Sequence, residues 1–197
     1  CMTCHQGRES KLTVVAAIAT GKPSFRNVHY LAAGATLLGK EAQVGYEYAG
    51  QTYVGRWTHT GGLDCTSCHS PKNTKHTFQI ADNLAFCQNC HQGIKTAEEI
   101  RMVKLADYDG DANVKESLHA ELQGLADKLL GQMQTVVKGG GAAGICYNGA
   151  AYPYWFKDTN GNNICDGMEA VNANAFAPWT AGLAKAAFNY QFFVKDP

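Results

Sequence analysis

The pattern Cys-x-x-Cys-His occurs three times in the chain, and it constrains the fold more than any other sequence feature. The copies are CMTCH at 1–5, CTSCH at 65–69 and CQNCH at 87–91. In exported proteins, the two cysteine sulfurs of this pattern bond to the vinyl groups of a haem, and the histidine ligates the iron. The sequence therefore predicts three molecules of haem c, bound through Cys1, Cys4, Cys65, Cys68, Cys87 and Cys90, with His5, His69 and His91 as proximal ligands.

Two other uses of paired cysteines are weaker explanations. A zinc site more often combines two Cys-x-x-Cys units and does not require a histidine directly after each second cysteine. A thioredoxin-like redox site would lie within alternating strands and helices, and the sequence around the motifs does not have that pattern. Covalent haem attachment is the interpretation that uses every residue of the repeated motif.

The histidines outside the motifs nearly match the number of irons that need a sixth ligand. Four remain from a total of seven, and we expect them to act as distal ligands: His29, His59, His76 and His119. His76 lies between the second and third motifs and is expected to serve one of those two haems. The fourth histidine is then surplus, and we expect it to reach a haem in a neighbouring subunit or in a part of the protein outside this sequence.

Two alternatives to histidine ligation remain open at this point. A single histidine outside a motif is more often a surface residue or a satisfied core residue. Methionine could also ligate an iron and raise its potential, and Met102, Met133 and Met168 lie outside the motifs. Met133 belongs to an apolar helical stripe with Leu118, Leu122, Leu125 and Leu129, which core packing explains better.

Long apolar runs are nearly absent and glycine is abundant, with 21 residues, so a conventional layered core is hard to assemble. We expect a mostly irregular fold with short α-helices and a small β-hairpin, organised around covalent haems that supply the missing apolar mass. The hairpin is predicted at 45–57, with its turn near Ala49 and Gly50. Helices are predicted at 96–106, 114–137 and 180–193, whereas 11–19 fits either a strand or a helical turn.

The chain is expected to divide into a three-haem region at 1–106 and a helical, loop-rich region at 107–197 that packs on it. The formal net charge is zero, which argues against a nucleic-acid partner. No segment approaches the roughly 20 apolar residues that span a bilayer. Covalent haem attachment takes place outside the cytoplasm, so we expect an extracellular or periplasmic protein. Because the sequence begins within a motif, we expect a processed form or an excerpt of a longer polypeptide.

Cys146 and Cys165 lie outside the motifs and are candidates for a disulfide bond, which would suit an exported protein. The alternative is a pair of buried free thiols.

Two runs of oxygen-bearing side chains resemble calcium-binding loops. The segment DTNGNNICDGME, which begins at Asp158, matches the ligand positions 1, 3, 5, 7, 9 and 12 of an EF-hand loop. In that order, the ligands would be Asp158, Asn160, Asn162, the carbonyl of Ile164, Asp166 and Glu169. Asn163 stands where glycine is expected, and the alternative is a simple Asn/Gly turn cluster. An earlier, shorter run has Asp107, Asp109 and Asp111, followed by Asn113 or Glu116. The alternative there is an acidic cap for the following helix.

The sequence also resembles a known family. The segments CMTCHQGRES, HYLAAGATLLG, ADYDGD and AAFNYQFFVKDP, with the CTSCH and CQNCH pair, resemble multihaem c-type cytochromes of metal-respiring microbes. This resemblance implies an electron conduit in the periplasm or outside the cell, and some members polymerise into filaments, or nanowires. It implies other cytochromes or copies of the chain itself as partners, and extracellular metal oxides or other terminal acceptors. Such proteins commonly hold four or more haems, so three indicate a truncated or a minimal version.

Two other functional classes are alternatives to an electron carrier. A multihaem oxidoreductase would need one haem with a vacant distal position beside a proton donor, and four spare histidines argue against this. A cell-surface binding module would use the calcium loops and the aromatic residues of the C-terminal region, with the haems secondary.

Overall fold

The computed structural model describes residues 5–29, 32–43, 45–59, 61–70, 77–101 and 106–195. The chain forms two compact units: the first is Arg56–Leu125, and the second combines Met2–Gly55 with Ala126–Pro197. The predicted boundary after residue 106 lies within the first unit, and the division into a three-haem region and a helical region stays a prediction.

Short helices and a single small hairpin make up the regular structure of the described residues, as predicted. The α-helices are α1 (Lys11–Ala19), α2 (Ala33–Leu38), α3 (Cys65–Cys68), α4 (Leu84–Gln88), α5 (Leu118–Gly139) and α6 (Ala181–Lys195). Single 3-10 turns lie at Gly39–Glu41, Ile80–Asn83, Ala97–Glu99 and Asn172–Asn174. Strands β1 (Gly144–Tyr147) and β2 (Trp155–Asp158) pair antiparallel, with Gly144 opposite Asp158 and Tyr147 opposite Trp155. None of the described helices is both long and apolar enough to cross a membrane.

The apolar core belongs to the second unit. One cluster packs the hairpin residues Ile145 and Trp155 against the C-terminal half of α5 and one face of α6. A smaller cluster joins α1 to α6 around Phe188, which is fully buried. The two clusters are linked by Gln191, a buried residue of α6 whose Oε1 accepts a hydrogen bond from the backbone N–H of Val28 (3.1 Å).

Helix α6 begins where its sequence predicts. The hydroxyl of Thr180 accepts a hydrogen bond from the N–H of Leu183 (3.2 Å), which satisfies one of the free donors at the start of the helix. The alanines that follow have high helix propensity and small side chains, so the helix packs closely against the core. Ala184 and Ala187 are 1% and 0% exposed.

The first unit has no apolar core among its described residues. Its buried side chains there are polar, Asn83 and Glu121. Six of its large apolar side chains are exposed: Trp57, Phe78, Phe86, Tyr108, Leu122 and Leu125. Others, such as Ile80, Leu84 and Ile100, are half-buried. The predicted apolar stripe of α5 is therefore buried only towards its C-terminal end, where Met133 is 3% exposed. A unit of this size needs buried apolar contacts to offset its ordering entropy, and none of its described apolar side chains is fully buried.

The hairpin predicted at 45–57 is wrong. A turn does form at Ala49 and Gly50, but the described residues of this segment contain no strand. The backbone of Tyr46 bonds instead to the side chain of Asn189, which accepts from its N–H (2.7 Å) and donates to its C=O (3.0 Å). The N–H of Tyr48 donates to the hydroxyl of Tyr53 (2.8 Å). These side chains therefore bond to backbone N–H and C=O groups that would pair with a neighbouring strand in a hairpin.

The helix predicted at 96–106 is also wrong over its described part. Only the 3-10 turn Ala97–Glu99 forms, and Ile100 is extended; residues 102–105 lie outside the described residues. The carboxylate of Glu99 accepts a hydrogen bond from the N–H of Lys95 (2.8 Å), so it closes a local turn. Helix α5 begins at Leu118, four residues after its predicted start, because the acidic segment before it folds as a loop.

Candidate haem and metal sites

The second motif lies on the single helical turn α3. Asp64 precedes this turn, and its Oδ1 accepts hydrogen bonds from the N–H and hydroxyl of Ser67 and from the hydroxyl of Thr66, each at 2.9 Å. These bonds hold the pKa of Asp64 below its ordinary value. Cys65 and Cys68 are three residues apart on a helix and so share one face. The helical bond from the N–H of His69 to the C=O of Cys65 (2.8 Å) keeps the histidine next to both thiols.

A backbone carbonyl holds the ring of His69. The Nδ1 of this ring lies 2.8 Å from the carbonyl oxygen of Phe78. A carbonyl oxygen only accepts, so Nδ1 is the donor, and a neutral imidazole of this tautomer presents the lone pair of Nε2. Phe78 takes a left-handed backbone conformation (φ 59°), which is uncommon for a bulky residue. A metal-binding histidine usually donates its other ring N–H to a carbonyl or carboxylate oxygen in this way.

The third motif forms a similar turn at the end of α4. The N–H of His91 donates to the C=O of Cys87 (2.8 Å), and the N–H of Cys90 donates to the same oxygen (3.1 Å). Burial raises the pKa of the Cys68 thiol, and the neighbouring Cys87 thiol raises it further. The thiols of the second and third motifs are therefore electrostatic neighbours.

Asn83 connects these two motifs. It directly precedes α4 and is 2% exposed. Its Nδ2 donates to the carbonyl oxygens of Ser67 (3.2 Å) and Cys68 (2.7 Å) in the second motif. One buried amide thus fixes the end of α3 to the beginning of the helix that leads into the third motif.

His59 lies beside the third motif. The ring centroids of His59 and His91 are 6.2 Å apart, and the ring planes are inclined at 70°. Trp57 packs edge-on against His59, with the centroids 5.5 Å apart. The structure therefore brings a predicted distal histidine to a predicted proximal histidine.

The first motif is described only at His5, because Cys1 and Cys4 lie outside the described residues. The Nδ1 of His5 is buried and has no hydrogen-bond partner among them. His29, from the same unit, lines a cavity of about 500 Å³. His29 has a left-handed backbone (φ 78°), and its N–H donates to the side chain of Asn27 (2.9 Å).

The chemistry of this cavity suits a flat group that carries acceptors. Phe25 and Trp179 line it and stack with centroids 5.8 Å apart. Two of its lining residues, Arg26 and Trp155, each have a buried N–H donor, Nε and Nε1 respectively, without a partner in the described chain. A buried donor without a partner is costly, and a bound group with carboxylate oxygens would satisfy both.

Of the two remaining predicted ligands, His76 and His119, only His119 lies among the described residues. His76 lies outside the described residues. His119 is in the first turn of α5, near Glu98. Hydrogen bonds from its own backbone and from Thr96 lower the pKa of Glu98, and the nearby His119 adds to that effect.

The acidic loop before α5 collects carboxylates in two overlapping groups. Oxygens of Asp107, Asp109 and Glu121 lie within 4.8 Å of one another, and so do those of Asp109, Asp111 and Glu116. Asn113 donates its N–H to the Asp111 carboxylate (2.7 Å). Burial raises the pKa of Glu116, and so do the neighbouring carboxylates of Asp111 and Asp109. The sequence prediction missed Glu121, although its position among the leucines of α5 indicates a buried charge.

Glu121 is fully buried and paired. Its Oε1 accepts from the guanidinium of Arg101 (2.6 Å), and its Oε2 accepts from the N–H groups of Tyr108 (2.7 Å) and Asp109 (3.2 Å). Burial works against ionisation, but these hydrogen bonds outweigh it and lower the pKa of Glu121.

The second predicted loop connects directly to the hairpin, because Asp158 is the last residue of β2. Asp158 and Glu169 are 2% and 3% exposed. The amide of Asn160 donates to the Asp166 carboxylate (3.0 Å), and the N–H groups of Asn162 and Ile164 bond to side chains two residues earlier. The predicted ligand residues thus form one folded loop, although its three carboxylates are less closely gathered than those of the first loop.

Cys146 and Cys165 are neighbouring free thiols in the structure. Burial raises the pKa of both, and a hydrogen bond between the two thiols also acts on each of them. Cys146 is fully buried within β1, while Cys165 belongs to the loop that follows β2. The predicted disulfide stays a prediction, and its two partners lie side by side.

Comparison with known proteins finds relatives that match the chain along its whole length. The chain is a homologue of c-type polyhaem cytochromes, as its three motifs predict, so the resemblance to multihaem c-type cytochromes is confirmed. It is 32% identical over 237 aligned positions to the C-type polyheme cytochrome OmcB of Geobacter sulfurreducens, in strains DL-1 / KN400 and ATCC 51573 / DSM 12127 / PCA. It is 31% identical over 230 positions to the C-type polyheme cytochrome OmcC of the latter strain.

These alignments take in 100% of this chain but only 28% of OmcB and 27% of OmcC. The chain therefore corresponds to about a quarter of each relative. No protein-family model matches the chain, and no solved structure matches it.

Proposed function

We propose that the chain transfers electrons through three covalently attached haems, as a segment of a conduit outside the cytoplasm. One observation carries this proposal. The first unit presents four motif thiols and two motif histidines, yet none of its described apolar side chains is buried. Bound haem supplies a redox-active iron and a large apolar surface, so it provides both the function and the missing core of this unit.

At the third motif, we assign His91 as the proximal ligand and His59 as the distal one. A metal lies about 2.0–2.1 Å from each ligating imidazole nitrogen, so two imidazoles on opposite sides of one metal have centroids about 6 Å apart. The observed separation of His59 and His91 is 6.2 Å. The inclination of 70° between the rings is compatible with this arrangement, since each ring can rotate about the axis through the iron. Trp57 supports the His59 ring from the side.

At the second motif, His69 provides Nε2 as the proximal ligand, because the carbonyl of Phe78 holds the proton on Nδ1. The distal ligand assigned from the sequence is His76. Asn83 holds this motif next to the third one. Two redox centres at these motifs would therefore keep a fixed separation, which rapid electron exchange between them requires.

At the first motif, we assign His5 as the proximal ligand and His29 as the distal one. The cavity that His29 lines has stacked aromatic rings for a flat macrocycle. The buried N–H groups of Arg26 and Trp155 are suitable donors to its propionate carboxylates. A volume of about 500 Å³ lies within the usual range for a cofactor site.

Bis-histidine ligation at all three motifs would fill both axial positions of each iron. Such an iron has no open position for a substrate, which favours an electron carrier over a multihaem oxidoreductase. Electron partners would be other cytochromes or further copies of this chain, with metal oxides or other extracellular compounds as terminal acceptors. His119, the histidine left over, would serve a haem of a neighbouring subunit or of another segment, and assembly into filaments would follow from such a contact.

Haem content tests the proposal directly. The chain is expressed with a c-type cytochrome maturation system, and the intact mass is measured under denaturing conditions. We expect the mass of the polypeptide plus three haems, and two haems for the double variant Cys87→Ser and Cys90→Ser. The control variant Cys146→Ser keeps three. A polypeptide without covalent haem, or with the same haem number in the double variant, would refute the proposal.

A further inference from the structure

Two loops of this chain share one hydrogen-bond pattern. In the first loop, the Asp107 carboxylate accepts from the N–H groups of Gly110 (2.6 Å) and Ala112 (3.0 Å). In the second, the Asp158 carboxylate accepts from Gly161 (2.8 Å) and Asn163 (2.9 Å), at the same offsets of three and five residues. The backbone agrees as well: φ is 76° and 71° in the first loop, and 77° and 67° at the matching residues of the second.

A buried glutamate closes each loop in the same way. The carboxylate of Glu121 accepts from the N–H groups of the second and third residues of the first loop, Tyr108 and Asp109. The carboxylate of Glu169 accepts from Thr159 (2.5 Å) and Asn160 (3.2 Å), which are the second and third residues of the second loop. We call Glu121 and Glu169 the loop-closing glutamates.

The two loops differ in what balances the charge of these glutamates. The Oε1 of Glu121 is paired with the guanidinium of Arg101 at 2.6 Å, so a side chain of the protein supplies the cation. The Oε2 of Glu169 is buried and has no hydrogen-bond partner among the described residues. Glu169 itself is only 3% exposed. An ionised oxygen that has lost its water and has no partner carries a large desolvation cost.

No basic side chain of the described chain pairs with the carboxylates of the second loop. No lysine or arginine nitrogen there lies within 4.0 Å of Asp158, Asp166 or Glu169. Lys138 does contact the loop, but through uncharged oxygens. Its Nζ donates to the carbonyl of Gly161 (3.2 Å) and to the side-chain oxygen of Asn163 (2.7 Å). The three carboxylates of the loop therefore have no basic side chain as a counter-charge among the described residues.

We propose that the loop Asp158–Glu169 binds one calcium ion in the position that corresponds to the Arg101 guanidinium of the first loop. Its oxygen donors are Asp158, Asn160, Asn162, the carbonyl of Ile164, Asp166 and Glu169. Six oxygens, including amides and a carbonyl, suit calcium, whose flexible coordination allows the carboxylates to close around it. Magnesium is a poorer match because it needs near-ideal octahedral geometry and retains several waters.

The sixth position of this loop is Asn163, where EF-hand loops have glycine, and its backbone conformation explains why asparagine is accepted there. EF-hand loops have glycine there because the chain turns through a left-handed conformation. Asn163 adopts that conformation, with φ 67°, and asparagine tolerates it better than other side chains do. Since Asp158 ends β2 and pairs with Gly144, the ion would fasten the loop to the hairpin of the second unit.

Calorimetric titration of the haem-loaded chain with calcium chloride, after removal of metal with a chelator, tests this inference. We expect wild type to bind calcium, and Glu169→Gln to bind at least tenfold more weakly, because glutamine keeps the shape and loses the charge. The matched variant Asp107→Asn in the first loop should leave the affinity of the second loop unchanged. Absence of binding to wild type, or binding that Asp107→Asn abolishes and Glu169→Gln preserves, would overturn the proposal.

Thermal unfolding separates a ligand role of Glu169 from a purely structural one. Calcium at a hundredfold excess over its dissociation constant should raise the melting temperature of wild type by roughly 5–10 °C. The same addition should have no effect on Glu169→Gln. If Glu169 only holds the loop through hydrogen bonds, calcium will shift both proteins equally or neither, and the proposal fails. Haem content measured on the same samples keeps this outcome distinct from a failure of haem attachment.

Discussion

Replacing Asn83 by alanine should loosen the connection between the second and third haem motifs. The variant loses the donor of two hydrogen bonds, to the carbonyl oxygens of Ser67 and Cys68, at a position that is 2% exposed. Each neutral hydrogen bond contributes about 0.5–1.5 kcal/mol, and acceptors left buried without a partner add to the loss. We therefore expect a loss of about 2–3 kcal/mol in the free energy of unfolding.

The assay is denaturant unfolding of the haem-loaded protein, followed by circular dichroism in the far ultraviolet. The matched control is Asn89→Ala, which removes an exposed side chain whose Nδ2 donates to the carbonyl of Phe86 (3.2 Å). It should cost less than about 1 kcal/mol, because water replaces an exposed hydrogen bond at little cost.

A redox titration of the same variants reports on function. If Asn83 sets the separation of two haems, Asn83→Ala should change the spacing of their midpoint potentials, while Asn89→Ala should not. Equal stability losses in the two variants, together with unchanged potentials, would refute the assignment of Asn83 as the connection between the motifs.

Three further predictions follow from other contacts. In α5, Gly124→Ala should destabilise the protein by about 1–3 kcal/mol, because a Cβ there would overlap the Asp109 carboxylate. Gly131 has open space around it, so Gly131→Ala should stabilise the protein by about 0.5–1 kcal/mol. Denaturant unfolding measures both effects. The Cys146 and Cys165 thiols should be lost together on oxidation, as thiol titration and intact mass will show. The loop-closing glutamates have pKa values below the ordinary 4.5. Their contribution to the free energy of unfolding should therefore be complete above pH 4.5 and be lost as the pH falls below it. The free energy of unfolding should fall less steeply with pH when both glutamates are changed to glutamine.

The turn at the second motif and helix α6 were predictable from sequence, because each depends on residues close together in the chain. A turn at Cys65–Cys68 follows from the motif and from Asp64 before it, and α6 follows from Thr180 and the alanines after it. These elements rely on bonds within one turn of the chain, so a sequence pattern contains the necessary information.

Features that depend on distant partners were not predictable. Aromatic residues alternate with small or polar ones around Tyr46, as in a strand. The backbone N–H of Tyr46 nevertheless donates to the side chain of Asn189, which is 143 residues away. Asn83 looks like an ordinary polar residue until its contacts with Ser67 and Cys68 are known. Glu121 binds a loop that begins 14 residues earlier, and only the folded chain shows that Arg101 balances its charge.

The position of His59 next to His91 depends both on a sequence pattern and on a contact between distant residues. Counting histidines identified His59 as a candidate ligand without assigning it to a motif. In the folded chain the ring centroids of His59 and His91 are 6.2 Å apart, and the proposed assignment rests on this contact.

The spin state of the haem irons in His59→Ala shows whether His59 ligates one of the three proposed haems. Electron paramagnetic resonance and absorption spectra of the ferric protein should show three low-spin haems in wild type. In His59→Ala, one of the three should become high-spin, and added imidazole should restore the low-spin signal by occupying the vacant position. A variant that keeps three low-spin haems without imidazole, or a wild type with an open coordination position, would contradict the account.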